Sequence, residues 1–466
     1  MKIKLFAVLV LFTISLYGQE VLEFGRFGKV TLYGTSPEPK HVVLFVSGDG
    51  GWNLGVIDMA KTIASLDSLV VGIDIIHYLK QLENGKESCS YPAADFEALS
   101  KYIQKKKNFP NYISPVLVGY SSGATLVYAL LVQAPPDTFA GVISMGFCPD
   151  LPLKKPFCKG NGLEAEPLPK GKGYNFLPTG SLKNPWIVFQ GTIDQVCNSK
   201  STEAFVKKVE NAEIVSLEKV GHGFSVQKNW MPQFKETLLK IYKKIGVEKG
   251  YSPIPAAVSD LPLVEILPQA WKADFMGIIV SGDGGWASID RSMGEFLAAE
   301  GIGVVGVNSL KYFWKRRTPE EASNALSRIL NHYGASWNKK KIILIGYSLG
   351  ADVLPFMINR LKPEEKQLIT GIALLGPSRT VDFEFHLTDW LGHSSGNSIS
   401  VLPEVKKLEG MKLLCLCGED ESDSLCHDLP KGTAHVVLLK GGHHFGGDYK
   451  GIVDTILKNF NERQGE

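Results

Sequence analysis

Two short strings in this chain have the form that presents a serine as a nucleophile. Gly119-Tyr120-Ser121-Ser122-Gly123 and Gly346-Tyr347-Ser348-Leu349-Gly350 each follow an apolar run and precede a helical one. In that context G-x-S-x-G is a sharp strand-to-helix turn that lifts the serine above the sheet edge. A serine attacks an acyl carbon only with a base beside it, and the base needs an acid to orient it. On this kind of turn the chain order is serine, acid, histidine. The first copy supplies Asp194, in Gly191-Thr-Ile-Asp194 after an apolar run, and then His222 between glycines. The second supplies an acidic cluster after Gly418 and then His443, aligned through G-H-x-F with His222; His444 is its neighbour. Ser121 to Asp194 and Ser348 to Glu421 both span 73 residues, which favours Glu421 as the second acid, with Asp423 and Asp420 as alternatives.

Acyl transfer also needs backbone N–H groups aimed at the oxyanion of the tetrahedral intermediate. One donor follows each nucleophile, Ser122 or Leu349. The other is expected from a string that occurs twice without change, V-S-G-D-G-G-W, at Val46–Trp52 and Val280–Trp286. Its glycines let the backbone turn its amides toward a substrate. The expected donors are Asp49 or Gly50 in the first copy and Asp283 or Gly284 in the second. A nucleotide cradle is excluded by the spacing, which is neither that of a P-loop nor G-x-G-x-x-G.

The elements that must hold these groups also repeat. Gly-rich string, serine turn and G-H-x-F follow one another in both halves at similar spacing, so the chain is a tandem duplication. Apolar runs at His41–Ser47, Ser114–Gly119 and Pro185–Gly191, and again at Phe275–Ser281, Lys341–Gly346 and Met411–Gly418, read as buried strands. Ser122–Gln133 and Leu349–Leu361 read as helices between them. The class expected is α/β: two tandem α/β-hydrolase-like domains, each a mainly parallel sheet flanked by helices. Residues 19–248 form the first domain, 249–268 the Pro-punctuated linker and first strand of the next, and 269–466 the second domain. Asp150–Ser181 and Arg379–Ser400, irregular stretches before the acid strand, are the candidate lids.

Residues 1–18 read as a secretory signal: Lys2 and Lys4, the apolar run Leu5–Leu16, and a cleavage point after Gly18. Export to the periplasm or beyond permits disulfides among the seven cysteines, with Cys417–Cys426 the expected pair in the second half and Cys415 a buried free thiol. The cysteine spacing argues against a metal site, and the chemistry needs no cofactor. Lys and Arg (50) nearly balance Asp and Glu (48), for a net charge of +2, so nothing points to nucleic acid. The expected partners are a lipid or small-molecule ester and a membrane surface.

At S-G-D-G-G-W, Val304–Trp314 with Arg316-Arg-Thr-Pro319, G-Y-S-L-G-A-D and G-E-D-E-S-D-S-L-C, the chain resembles the VirJ/AcvB family of bacterial virulence-associated proteins. The first half shares S-G-D-G-G-W and Tyr91–Ser100 with the N-terminal domain of AcvB-type members. The resemblance implies a periplasmic α/β-hydrolase that releases lysine from lysyl-phosphatidylglycerol, with Ser348 as nucleophile and His443 as base. A lysyl ester is cationic, and Glu419, Asp420, Asp423 and Asp352 stand near the expected site in sequence. The alternatives are a general carboxylesterase or lipase and a non-catalytic periplasmic binding or secretion-associated factor.

Overall fold

The computed structural model describes residues 19–245, 254–386 and 398–461. The signal segment 1–18, part of the linker and the middle of the second candidate lid lie outside the described residues. The chain divides into two compact units, one within Met1–Lys243 and the other dominated by Lys244–Glu466.

The first unit contains β1 (Glu20–Phe24), β2 (Gly28–Tyr33), β3 (His41–Val46), β4 (Ser68–Ile73), β5 (Val116–Tyr120), β6 (Gly141–Met145), β7 (Asp150–Leu151), β8 (Ala165–Pro167), β9 (Tyr174–Phe176), β10 (Trp186–Gly191) and β11 (Ala212–Leu217). Its main sheet has the order β1-β2-β4-β3-β5-β6-β10-β11. The β1–β2 and β2–β4 pairs are antiparallel and the rest are parallel. The second unit contains β12 (Leu263–Ile266), β13 (Phe275–Val280), β14 (Val304–Val307), β15 (Lys341–Tyr347), β16 (Ile369–Leu375), β17 (Thr380–Val381), β18 (Ile399–Ser400), β19 (Leu413–Gly418) and β20 (His435–Leu439). Its main sheet runs β12-β14-β13-β15-β16-β19-β20, with only β12 antiparallel to its neighbour. Strand for strand this is the first sheet without β1.

The central strands are unbroken apolar runs because helices cover both faces of the sheet. In the second unit, alternate residues of β15 enter different cores. Ile342 and Leu344 pack with Leu354 and Ile358 of the helix Leu349–Asn359, whereas Ile343 and Ile345 pack with Met293, Ile452 and Ile456 from helices on the other face. Both candidate lids contain strands of their own. β7, β9 and β8 form a small antiparallel sheet within Asp150–Ser181, and β17 pairs with β18.

Three disulfides are formed: Cys89–Cys158, Cys148–Cys197 and the expected Cys417–Cys426, leaving Cys415 buried and free. Among the described residues no helix is long and apolar enough to cross a membrane.

Candidate active site

Ser121 and Ser348 each stand between a central parallel strand and a helix, with φ 55°, ψ −123° and φ 51°, ψ −121°. Left-handed backbone at a residue with a Cβ is strained, and such strain persists only where surrounding structure holds it. Here the glycines hold it. A Cβ at Gly119 would collide with the Gly123 carbonyl, and one at Gly123 with the carbonyls of Ser47 and Val46. Gly346 and Gly350 meet Gly350 and Val280 in the same way. The amides of Ser121 and Ser348 bond the last residue of the neighbouring strand, Met145 O and Leu375 O, both at 2.9 Å.

In the first copy the three side chains form one hydrogen-bonded row. His222 Nε2 lies 2.9 Å from Ser121 Oγ, and His222 Nδ1 lies 2.9 Å from Asp194 Oδ2. Asp194 Oδ1 accepts from the amides of Val196 and Cys197, both at 2.9 Å, so the carboxylate is fixed at both oxygens. In the second copy His443 Nδ1 lies 2.5 Å from Glu421 Oε1, and Glu421 Oε2 accepts from the Gly418 amide at 2.7 Å. Among the described residues no hydrogen bond joins His443 to Ser348. His443 is also more open, its side chain 39% exposed against 17% for His222. Of the three acids left open by the sequence, Glu421 is the one bonded to His443. Asp423 lines the cavity beside Ser348, and Asp420 bonds Gly441 O through its amide.

Sequence reading missed the tyrosine inside each serine turn. Tyr120 donates to the carbonyl of His222 at 3.1 Å, and Tyr347 to that of His443 at 3.2 Å, tying the histidine loop to the turn. Its presence in both copies was the available signal. Gly146 (φ +67°) and Gly376 (φ +57°), after β6 and β16, leave room for the imidazole: a Cβ there would lie 3.1 Å from His222 and 2.9 Å from His443. His444 Nδ1 lies 3.0 Å from Tyr347 Oη, away from the Glu421 bond.

The repeated V-S-G-D-G-G-W is a loop laid against the serine. Ser47 and Ser281 accept from the amides of Ile75 and Ser309, fixing the loop to the start of the helix after β4 or β14. A Cβ on Gly48 would lie 2.9 Å from the Ser121 Cβ, and one on Gly282 3.4 Å from that of Ser348. Gly51 and Gly285 have φ of +74° and +82°, and their amides close the turn on Gly48 O and Gly282 O. Trp52 and Trp286 fill the space above Gly72 and Gly306. Among the described residues the amides of Gly50 and Gly284 have no acceptor. The amides of Ser122 and Leu349, at the first helical position, have none within the helix. Asp49 accepts from the Ser122 hydroxyl.

The surroundings of Ser348 are acidic. A cavity of about 470 Å³ beside it is lined by Asp283, Asp352, Asp382, Glu384 and Asp423, with His386, Leu349 and Phe385. Arg316 and His386 pair with Asp382 and Glu384. Asp352, one helical turn after Ser348, is buried and accepts from the Ser378 amide at 2.6 Å. Burial pushes its carboxyl up to about 7. Asp382-Phe383-Glu384-Phe385-His386 lies within the candidate lid Arg379–Ser400 but was not expected to line the site; Phe383 and Phe385 are buried, while Asp382, Glu384 and His386 line the cavity together with Phe385. A second cavity, of about 560 Å³, lies at the other end of the strands, beside Lys341, Ile369 and Lys412, far from the serine.

Burial disfavours the His443 imidazolium, but Glu421 on Nδ1, with Asp283 and Asp352 nearby, outweighs it and holds the pKa above the ordinary histidine value. Burial likewise works to raise the Glu421 carboxyl. The hydrogen bonds from His443 and the Gly418 amide prevail, and its pKa lies below the usual carboxylate range.

A mostly parallel sheet in this strand order, with a serine elbow after its central strand, is an α/β-hydrolase fold, and the chain carries it twice. The chain belongs to the VirJ family of bacterial virulence proteins, whose family model matches residues 40–147 and 274–464. No curated protein sequence matches it. Among solved structures it is similar to the esterase Est1E from Butyrivibrio proteoclasticus, at 13% identity and TM-score 0.35 over 49% of this chain and 100% of that one. A thermophilic esterase, Est2, from Thermogutta terrifontis aligns at 18% identity and TM-score 0.35, over 49% and 92% of the two chains. XC6422 from Xanthomonas campestris, described as a serine hydrolase without lid, aligns at 17% identity and TM-score 0.31, over 49% and 94%.

Proposed function

We propose that the protein is a periplasmic serine hydrolase whose second domain cleaves a cationic carboxylic ester of the lysyl-phosphatidylglycerol type. The observation that supports the reading is the Glu421–His443 pair, tied to the strained Ser348 elbow through Tyr347, with an acidic cavity beside the serine. In this reading His443 takes the Ser348 proton as the hydroxyl attacks the lysyl carbonyl. The amides of Leu349 and Gly284 or Asp283 hold the oxyanion. The acyl–oxygen bond to the glycerol breaks as His443 returns the proton to it, and water then releases lysine by the same steps. Asp423 and Asp283, joined by Asp352 as it ionises above about pH 7, supply the negative field that a substrate with two ammonium groups needs, since like-charged or neutral walls would leave them unpaired. Three disulfides and the resemblance to an exported family support the periplasmic location.

The test uses full-length protein carrying Ser121→Ala, so that only the second domain reports. Release of lysine from lysyl-phosphatidylglycerol in mixed micelles is expected, and adding Ser348→Ala should lower it by about 10³-fold or more. A preference for a neutral short-chain ester over the lysyl lipid would sink the substrate assignment, and lysine release that survives Ser348→Ala would sink the site.

A further inference from the structure

The first domain is not a relic of the duplication in its geometry: Ser121, His222 and Asp194 are the more completely bonded of the two sets. What differs is the rim. Counted from the acid after β10 or β19, Ile193 and Val196 occupy the places of Asp420 and Asp423; counted from the serine, Thr125 occupies that of Asp352. Ile193 and Val196 flank Asp194 and are 60% and 67% exposed. Val226, shortly after His222, is 48% exposed. Ile76, 52% exposed, reaches the Gly-rich loop, where a Cβ on Gly51 would lie 3.7 Å from its Cδ1. Thr125 turns its hydroxyl onto Cys148 O, so that no carboxylate stands there. The loops after β19 and β20 expose no large apolar side chain among the described residues. Large aliphatic side chains left in water are stabilised when a bound apolar group covers them.

The geometry points to a second, independent esterase site at Ser121, selective for uncharged carboxylic esters with an apolar acyl group. It shares the acyl-transfer chemistry proposed for Ser348 but not the substrate. Ser121 Oγ forms a bond to the ester carbonyl carbon while its proton passes to His222 Nε2. The bond to the leaving alkoxide breaks as that proton is returned, releasing the alcohol. Water then attacks the acyl-serine, giving its proton to His222; the acyl–Oγ bond breaks, Oγ recovers the proton, and the carboxylic acid leaves. Ile193, Val196 and Val226 are specificity-determining positions that cover the acyl chain.

The experiment uses the full chain with Ser348→Ala, which silences the other site, and p-nitrophenyl butyrate and lysine ethyl ester as substrates. Butyrate turnover is expected, with labelling of Ser121 by a fluorophosphonate; adding Ser121→Ala should abolish both. Absence of turnover and labelling in Ser348→Ala protein, or turnover that survives Ser121→Ala, overturns the second site, whatever happens to lysyl-phosphatidylglycerol at Ser348. Val196→Asp, an exposed change that leaves the core untouched, tests the selectivity. It should lower kcat/KM for butyrate about tenfold relative to lysine ethyl ester, and an unchanged ratio overturns the substrate class.

Discussion

His443 sits among carboxylates, and in the proposed reaction this would set the pH at which it serves as base. Glu421, Asp283 and Asp352 favour its charged form, so the acid limb of kcat/KM at the second site should lie above the ordinary histidine pKa of about 6.5. Glu421→Gln removes the nearest of these charges. It should move the limb to lower pH and cut kcat by about 10³-fold, measured in Ser121→Ala protein; a limb that stays in place would contradict the role of Glu421. Asp352→Asn should raise KM for a lysyl ester more than it lowers kcat, because Asp352 faces the cavity without touching His443 in a hydrogen bond. An equal loss in both substrate classes would contradict its part in recognition. That Glu421, rather than Asp420 or Asp423, is the acid bonded to His443 was legible in the sequence because the serine-to-acid spacing is the same in both copies. The acidic cavity was only half legible. Asp423 and Asp352 are near the motifs in sequence, whereas Asp382 and Glu384 arrive through a segment with no motif.

The serine elbow depends on glycines that no longer have room for a side chain. Gly350→Ala places its Cβ against the Val280 carbonyl, whereas Gly284→Ala places it in open space. The first should lower stability by about 3 kcal/mol or more, and the second should leave the melting temperature within a few degrees. Equal melting temperatures would mean that the elbow relaxes freely. The disulfide Cys148–Cys197 joins the loop after β6 to the acid loop after β10. The second domain has Ser378 and Ser424 at those places, with Ser424 donating to Pro377 O at 3.1 Å. Replacing both cysteines by serine should lower the stability of the first domain by about 2–4 kcal/mol in urea titration, and an unmoved midpoint would show that packing alone holds that loop. Strand and helix positions around the motifs followed from apolar runs bounded by glycine and proline. The small sheet β7-β9-β8 did not, because strands of two or three residues carry no periodicity to read.

At the scale of the whole chain, duplication has produced two sheets of one design with different rims, one acidic and one aliphatic. In V-S-G-D-G-G-W the same positions have the same structural duties in both copies: the serine bonds the helix after the following strand, the first glycine lies against the serine of the elbow, the third carries the turn, and the tryptophan covers a strand glycine. Those shared duties make the repeat legible in the residues alone. The divergence of the rims is not legible there, because Ile193 and Val196 gain meaning only once matched in place with Asp420 and Asp423. On the reactions proposed for the two domains, both serines are activated nucleophiles. Labelling of the folded full-length protein with a fluorophosphonate, followed by peptide mapping, tests it most directly. Ser121 and Ser348 should both carry the label, each losing it when His222 or His443 of its own domain is replaced by alanine. A folded protein in which neither serine reacts would contradict it.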